Sequence, residues 1–260
     1  MLTLGNKTQY ITSFVPNQRY VSKTIAIQHH MGFGDHMCLN GLVRYVLSDL
    51  KFENIILFCK EPYSGMVKQM YSDEPRIEVI SVGKVNSSVE ETNFVLKYLS
   101  DRSEPCVYLR LGFEMYGQVQ PNFPDYSCDR CFCMMANVPY EVRWSHFKFN
   151  RISEDQDRVY EKLNPDNVPY IFVHDDPERG FQIKLDKRKI GNKLIIRNDT
   201  SESVLDYAKV LEQAEEIHCI ESSFRCFLEG LEPVATKLVF YDSLRESPGE
   251  PGTKFDWEFE

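Results

Sequence analysis

A carboxylate that follows two glycines is the feature of this sequence best suited to chemistry. The stretch GFGD, residues 32–35, follows His29, His30 and Met31 and ends at Asp35. A carboxylate within hydrogen-bond reach can take the proton of an attacking hydroxyl group. The positive end of a helix dipole favours the ionised form that accepts this proton. We therefore expect Asp35 to act as a general base; the alternative is a plain helix N-cap, a position where Asp is common.

The residues around Asp35 predict a strand before it and a helix beside it. Residues 24–28 form an apolar run, and leucines and valines recur at helical spacing from residue 39 to residue 50. Glycines on both sides of Phe33 allow an unusual backbone and close approach of a ligand. A dinucleotide fingerprint needs a glycine where Met37 stands, and a P-loop needs Gly-Lys-Ser/Thr, so neither motif is present.

Three histidines, His29, His30 and His36, lie near this turn. We expect them to form hydrogen bonds in the site, and a metal-binding trio is the less favoured reading. His36 directly follows Asp35 in the chain, so it is the second candidate catalytic residue.

A second chemically suitable stretch is IHCIESSFRCFLEGL, residues 217–231, where a predicted strand runs into a predicted helix. The helix start carries Ser222 and Ser223. Unsatisfied N–H groups and the helix dipole converge at such a point and bind phosphate well. We expect these serines to bind a phosphate group; the alternative is an ordinary serine N-cap.

The third stretch, HDDPERGF at residues 174–181, follows another predicted strand. Ligands of open parallel sheets collect at the carboxyl ends of the strands, which is where His174 would lie. Arg179 can bind phosphate through two hydrogen bonds, and Gly180 lets the backbone approach a ligand.

Two aspartates in the same loop, Asp175 and Asp176, would repel a diphosphate. We expect them to accept hydrogen bonds from sugar hydroxyls or to hold Arg179 in place, and a divalent metal between them is the less favoured alternative. Arg197 and Asn198 end a further predicted strand and are candidate nucleotide contacts by location.

Short apolar strands alternate with amphipathic helices in both halves of the chain. This pattern predicts parallel sheets with helices on both faces. We expect two Rossmann-like lobes, 1–165 and 166–260, with a linker near 164–168.

Residues 1–22 are expected to be an irregular arm or edge strand, 112–129 a functional loop or lid, and 243–260 an irregular tail held by aromatic residues. The predicted strands are 24–28, 55–59, 77–81, 106–111, 170–174, 194–197, 217–220 and 237–241, with helices starting near 35, 62, 89, 130, 154, 202 and 222.

Composition excludes several classes of protein. The net charge of −9 disfavours a nucleic-acid binder that relies on a broad basic face. No apolar run approaches the roughly 18 residues of a membrane-spanning helix, and the N-terminal residues lack the pattern of a signal peptide. Most of the eight cysteines lie in apolar runs, as reduced core cysteines do. We expect a cytoplasmic protein.

Cys128, Cys131 and Cys133 form a C-x-x-C-x-C run. A structural zinc site needs four ligands, usually as two separated pairs. No second pair is nearby, so partly buried thiols at a helix start are the favoured reading, and no metal is expected.

The strand, glycine turn, Gly34-Asp35 pair and amphipathic helix resemble the start of heptosyltransferase-like glycosyltransferases of the GT-B fold. The resemblance implies two lobes with a cleft between them and a catalytic base at Asp35, with Gly34 beside the donor. Ser222 and Ser223 match the turn that receives the donor diphosphate in the second domain. Arg225, Cys226 and Phe227 depart from the His and Ala that usually follow.

The resemblance implies a metal-independent enzyme without a cofactor, which transfers a sugar from a nucleotide-diphosphate donor to a glycan, lipid-linked or other hydroxyl acceptor. Donor contacts are then expected from His174, Arg179, Gly180 and Arg197. Two alternatives stay open. One is an epimerase or hydrolase of the same fold acting on nucleotide sugars, and the other is a nucleotide-binding protein without catalysis.

Overall fold

The computed structural model describes residues 7–113, 116–244 and 252–260. The chain forms two compact α/β units, Met1–Asn150 and Arg151–Glu260. The units therefore divide about fifteen residues before the boundary expected at residue 165, because the helix Ser153–Leu163 packs with the second unit. Among the described residues, no helix combines the length and apolar character needed to cross a membrane.

The first unit contains a parallel five-stranded sheet in the order β1-β5-β2-β3-β4. The strands are β1 (Thr8–Ile11), β2 (Thr24–Gln28), β3 (Asn54–Cys59), β4 (Ile77–Ser81) and β5 (Cys106–Arg110). The helices are α1 (Phe33–Ser48), α2 (Ser64–Tyr71), α3 (Ser88–Ser100), α4 (Tyr116–Val119), α5 (Cys128–Ala136) and α6 (Val142–Ser145).

Burial explains why these segments form a sheet. Ile25, Ala26 and Ile27 are all 0% exposed, as expected for a central parallel strand that is covered on both faces. Helix α3 covers one face by packing Val95 and Leu99 into a core with strand residues of β2, β3 and β5. Burying a side chain of this size contributes about 1.5–3 kcal/mol.

The second unit repeats the architecture, with a parallel sheet in the order β10-β9-β8-β6-β7. The strands are β6 (Tyr170–His174), β7 (Leu194–Arg197), β8 (Glu216–Cys219), β9 (Lys237–Phe240) and β10 (Glu258–Phe259). The helices are α7 (Ser153–Leu163), α8 (Lys187–Ile190), α9 (Ala208–Gln213) and α10 (Ser223–Leu228).

Side chains of β6 alternate between two cores, because successive residues of a strand point to opposite faces. Ile171 and Val173 pack with Ile183 on one face. On the other face Phe172 contacts Tyr207 and Phe224, with ring centroids 5.9 and 5.8 Å away. The sheet is thereby covered on both sides.

The predicted alternation of strands and helices is confirmed, with two parallel sheets. Residues 8–11 of the N-terminal arm form the edge strand β1, which pairs with β5. The predicted helix from residue 202 is divided into a 3-10 turn, Val204–Tyr207, and α9. Residues 114–115 of the predicted loop and 245–251 of the predicted tail, with most of its SPGEPG segment, lie outside the described residues.

Candidate functional site

The carboxylate of Asp35 is held at the start of α1 by the backbone that precedes it. Gly32 is the N-cap and Phe33 the first helical residue, so Asp35 is the third. Its Oδ2 accepts a hydrogen bond from the Gly32 N–H at 3.0 Å. A Cβ atom on Gly32 would lie 2.7 Å from that oxygen, so only glycine fits without displacing the carboxylate. The first glycine of GFGD therefore serves the close approach of Asp35.

The backbone freedom expected of the GFGD glycines is not used at Gly32, whose φ is −68°. The left-handed conformation occurs one residue earlier, at Met31, with φ of 60°. Met31 is 0% exposed, and its N–H donates to His29 Nδ1 at 3.1 Å. Burial and this local hydrogen bond hold a conformation that non-glycine residues seldom adopt.

Burial raises the pKa of the Asp35 carboxyl above its ordinary value. Attraction to His30, the Gly32 N–H bond and attraction to Lys60 act in the opposite direction without cancelling it. The Gly32 N–H at the helix start favours the ionised carboxylate, as expected, but desolvation by burial outweighs this contribution. A raised pKa makes the ionised carboxylate a stronger base, which suits proton abstraction near neutral pH.

His30 is half-buried and is fixed by contacts from the end of β5. Its Nε2–H donates to the Gly112 carbonyl, and its ring lies edge-on to Phe113 and Phe132, at centroid distances of 5.4 and 4.9 Å. A Cβ atom on Gly112 would come within 2.8 Å of both the His30 and Phe132 rings. The imidazole is therefore held in one orientation beside Asp35.

His36, by contrast, lies inside the core. His29 and His36 are both 0% exposed, and their rings meet edge to face at a centroid distance of 4.3 Å. Burial lowers the pKa of both, that of His36 to about 3, so the pair is neutral. Complete burial does not support the predicted catalytic role of His36, which stays a prediction, and His30 is the histidine with access to solvent.

A cavity of about 370 Å³ lies at the carboxyl edge of the first sheet. Its lining includes His30, Lys60, Asn86, Ser87, Glu91 and Phe113. Lys60 and Glu91 form an ion pair at 3.1 Å, with the Glu91 side chain only 6% exposed. Asp35 does not line this cavity, but His30 and Lys60, which do, attract its carboxylate electrostatically, so the cavity lies next to the candidate base.

In the second unit, Ser222 is the N-cap of α10 and accepts a hydrogen bond from the Arg225 N–H at 3.4 Å. Ser223 is the first helical residue. Glu221 binds the buried Arg225 guanidinium through two hydrogen bonds of 2.8 and 3.2 Å. The cap that was the alternative reading of Ser222 is therefore present, and phosphate binding by the two serines stays a prediction.

The loop after β6 is organised by ion pairs. Arg179 binds Asp176, and Arg197 binds Asp175, which also accepts a 2.9 Å hydrogen bond from the Ile183 N–H. Gly180 has φ of 88°, a conformation that favours glycine. Asp176 thus holds Arg179, as one of the expected alternatives states.

His174 and Asn198 meet at the ends of β6 and β7. The His174 Nδ1 and the Asn198 Oδ1 are 2.9 Å apart, and the His174 ring stacks on Phe224 at 4.4 Å. The structure therefore brings His174, Arg197 and the start of α10 to the carboxyl edge of the second sheet.

The cysteine run does not assemble a metal centre. Cys131 and Cys133 are buried in α5 and Cys128 is half-buried, and burial raises the pKa of Cys131 and Cys133. In the part of the chain that the structure describes, no three His, Cys, Asp or Glu side chains are arranged to hold a metal ion.

Similarity to a solved structure extends over most of this chain. The glycosyl transferase of family 9 from Veillonella parvula DSM 2008 superposes with a TM-score of 0.55, over 91% of this chain and 86% of its own, at 11% sequence identity. The fold is GT-B-like. No protein-family model and no curated protein matches the sequence.

The sequence predicts that Asp35 and His30 lie in one site, but it does not single out His30 from the other two histidines, and it does not reveal Lys60. The sequence signal that points to both residues is their position after predicted strands. Lys60 directly follows β3 and His30 stands two residues after the end of β2, and the carboxyl ends of these strands meet at one edge of the sheet.

Proposed function

We propose that this protein is a glycosyltransferase that moves a sugar from a nucleotide-diphosphate donor to a hydroxyl acceptor, with Asp35 as general base. The observation that carries the proposal is the Asp35 carboxylate, held by the Gly32 N–H at 3.0 Å with its pKa raised by burial. The GT-B-like fold supports the choice of reaction class.

In the proposed reaction, the acceptor oxygen attacks the anomeric carbon while Asp35 takes its proton. The bond between that carbon and the donor phosphate oxygen breaks, and the nucleoside diphosphate leaves with the electron pair. His30, oriented by its hydrogen bond to Gly112, lines the cavity proposed for the acceptor. Negative charge grows on the leaving diphosphate, so fixed positive groups near it lower the barrier.

Donor binding is proposed for the second unit, through His174, Arg179, Gly180, Arg197, Ser222 and Ser223, with Gly34 of the first unit beside the donor. Their place at the carboxyl edge of a parallel sheet supports this assignment. Arg179 and Arg197 are each bound to an aspartate, so a diphosphate must compete with Asp176 and Asp175. Reaction without a metal or cofactor and a cytoplasmic location stay predictions.

The acceptor is proposed to be a glycan, a lipid-linked compound or another hydroxyl compound that binds the first unit. The cavity with His30, Lys60 and Ser87 offers hydrogen-bond donors and acceptors for hydroxyl groups. The net charge of −9 disfavours a nucleic-acid acceptor.

A thermal-shift screen with ADP, GDP, UDP, CDP and dTDP tests the function first, because a ligand that binds only the folded state raises its apparent stability. We expect one base to stabilise the protein, and the matching sugar nucleotide to be consumed only when an acceptor is present. Consumption in water alone would support a hydrolase or epimerase, and binding without turnover would support a non-catalytic protein. No stabilisation by any of the five would contradict the proposal.

A further inference from the structure

A second cavity of the first unit, of about 330 Å³, lies at the opposite edge of the sheet from Asp35. Its lining includes Arg19, Tyr20, Ser22, Lys23, Lys51 and Phe52. Lys23 directly precedes β2, and Phe52 stands two residues before β3, so this cavity is at the amino edge. It is therefore separate from the site proposed for sugar transfer.

The charge of this cavity is opposite to that of the whole protein. Three of its lining residues, Arg19, Lys23 and Lys51, are exposed cations, and no carboxylate lines it, although the net charge of the chain is −9. Within residues 7–113, 116–244 and 252–260, none of the three cations forms an ion pair.

The hydrogen bonds of the two lysines leave their charge available. The Lys23 ammonium lies 3.4 Å from the Lys51 carbonyl, and the Lys51 ammonium donates to the Ser48 carbonyl. Lys51 attracts Asp49, but the Asp49 carboxylate is bound by the Ser48 hydroxyl and by His146. The positive charges are thus solvated rather than neutralised by a bound carboxylate.

Ring packing and a backbone hydrogen bond hold the walls of the cavity. The rings of Tyr20 and Phe52 pack 5.2 Å apart, and Phe14 packs on Phe52 at 6.1 Å. The Phe14 N–H donates to the Ala136 carbonyl at 2.9 Å, which ties this segment to the end of α5. A preformed cavity loses less conformational freedom when a ligand binds.

Lys51 occupies a backbone conformation that a lysine seldom adopts. Its φ is 61°, in the left-handed region where glycine and asparagine are favoured. The chain thus carries a long cationic side chain at a position where glycine or asparagine would be less strained. Strain of this kind is found where a side chain has a task.

We propose that this cavity binds a phosphate group of a ligand. The Arg19 guanidinium can bind two phosphate oxygens at once, and the ammonium groups of Lys23 and Lys51 supply further charge-assisted hydrogen bonds. The volume is at the lower end of the range for small-molecule sites.

Two sources can present such a group, a soluble phosphate ester or an anionic phospholipid. Val15 precedes Arg19, and Val21 lies between Arg19 and Lys23; the two valines are 53% and 59% exposed, so they would contact the lipid in the second case. The phosphate chemistry is the same in both cases, and the experiment distinguishes them.

The test compares wild-type protein with Lys51→Asn, which removes the charge and places a residue suited to φ of 61°. Lys97→Gln is the control, because Lys97 is an exposed lysine of the same unit. Calorimetric titration with inorganic phosphate measures the soluble source. Sedimentation with phosphatidylglycerol vesicles, against phosphatidylcholine vesicles, measures the lipid source.

We expect Lys51→Asn to weaken binding of the effective probe about tenfold, the loss of one charge-assisted hydrogen bond, while Lys97→Gln binds as the wild type does. Loss of phosphate binding assigns a soluble ligand, and loss confined to phosphatidylglycerol vesicles assigns a membrane surface. If Lys51→Asn binds both probes like the wild type, or if neither probe binds the wild type, the inference is overturned.

Discussion

At the carboxyl edges of the two sheets lie aspartates whose pKa values are shifted in opposite directions. In the first unit, burial raises the pKa of Asp35, and no ion pair involves this residue among the described parts of the chain. In the second unit, burial also acts to raise the pKa of Asp176, but hydrogen bonds from Arg179 outweigh it and the pKa is lowered. A carboxylate held by an arginine is a poor proton acceptor. The comparison therefore favours the first edge for base catalysis and leaves ligand binding to the second.

The largest expected effect comes from the buried arginines that support the two edges. Arg143 is 2% exposed and binds Asp129, whereas Arg225 binds the more accessible Glu221, which is 19% exposed. Arg143→Met should lower the free energy of unfolding by about 3–5 kcal/mol, because Asp129 then stays buried without its cation. Arg225→Met should cost less, about 1–2 kcal/mol.

Urea unfolding followed by circular dichroism measures both losses. Equal costs, or a larger cost for Arg225→Met, would contradict the view that the first edge is the more strongly desolvated of the two.

The next effect concerns acid sensitivity. Burial lowers the pKa of His36 from 6.5 to about 3. Below pH 6.5, His36 therefore takes up a proton in the unfolded chain but stays neutral in the folded chain. The contribution of neutral, buried His36 to the free energy of unfolding is therefore fully present above pH 6.5 and is lost as the pH falls towards 3. Between pH 7 and pH 5 the loss is about 2 kcal/mol. The leucine of His36→Leu cannot ionise. Between pH 7 and pH 5 the free energy of unfolding of this variant should therefore fall by about 2 kcal/mol less than that of the wild type.

Unfolding curves at the two pH values check the His36 prediction, with His218→Leu of the second unit as the comparison. Burial also lowers the pKa of His218, but Glu216 opposes the shift, so its share of the acid loss should be smaller. An unchanged pH dependence in His36→Leu would show that this buried histidine does not cause the acid sensitivity.

Ser87 and Ser222 cap one helix in each unit and form a matched pair. Each hydroxyl accepts a hydrogen bond from a backbone N–H of its helix, so replacement by Ala should cost about 1 kcal/mol of stability in both cases. Only Ser222→Ala should also weaken nucleoside-diphosphate binding, by about tenfold. Equal nucleotide affinity in the two variants would remove Ser222 from the donor site.

The smallest effect tests whether the aspartates of the second edge limit donor binding. Asp175→Asn keeps an oxygen for the Ile183 N–H but removes the charge that neutralises Arg197. We expect nucleoside-diphosphate affinity to rise about threefold, since one competing carboxylate is lost at a partly exposed arginine. A fall in affinity, measured by calorimetry, would mean that Asp175 orients Arg197 for the ligand.

The architecture could be predicted from the sequence where strands are buried on both faces. Central strands such as β2 and β6 are continuous apolar runs, and their helices have a regular apolar face. The edge strand β1 and the two-residue β10 could not be placed, because half-exposed short strands carry no distinctive period. Their pairing with β5 and β9 depends on contacts far away in the chain.

The site could be predicted only where it is local. Asp35 follows from a strand, a glycine turn and a helix start, which are adjacent in the chain. His36 neighbours Asp35 in the chain, but successive helical residues do not share a face, and the His36 side chain lies in the core. The contact of His30 with Gly112 and that of Asp175 with Arg197 join residues 82 and 22 positions apart, which no local pattern reveals.

The most direct test of Asp35 as the general base is transfer activity in Asp35→Asn. The amide keeps an oxygen for the Gly32 N–H, so the start of α1 is retained while the base is lost. With the sugar nucleotide identified by the screen, we expect kcat to fall by about 10²–10⁴-fold, with donor affinity and the unfolding temperature close to those of the wild type. Ser203→Ala, a change at the N-cap of the 3-10 turn Val204–Tyr207, should keep its turnover. Turnover by Asp35→Asn at the wild-type rate would contradict the assignment.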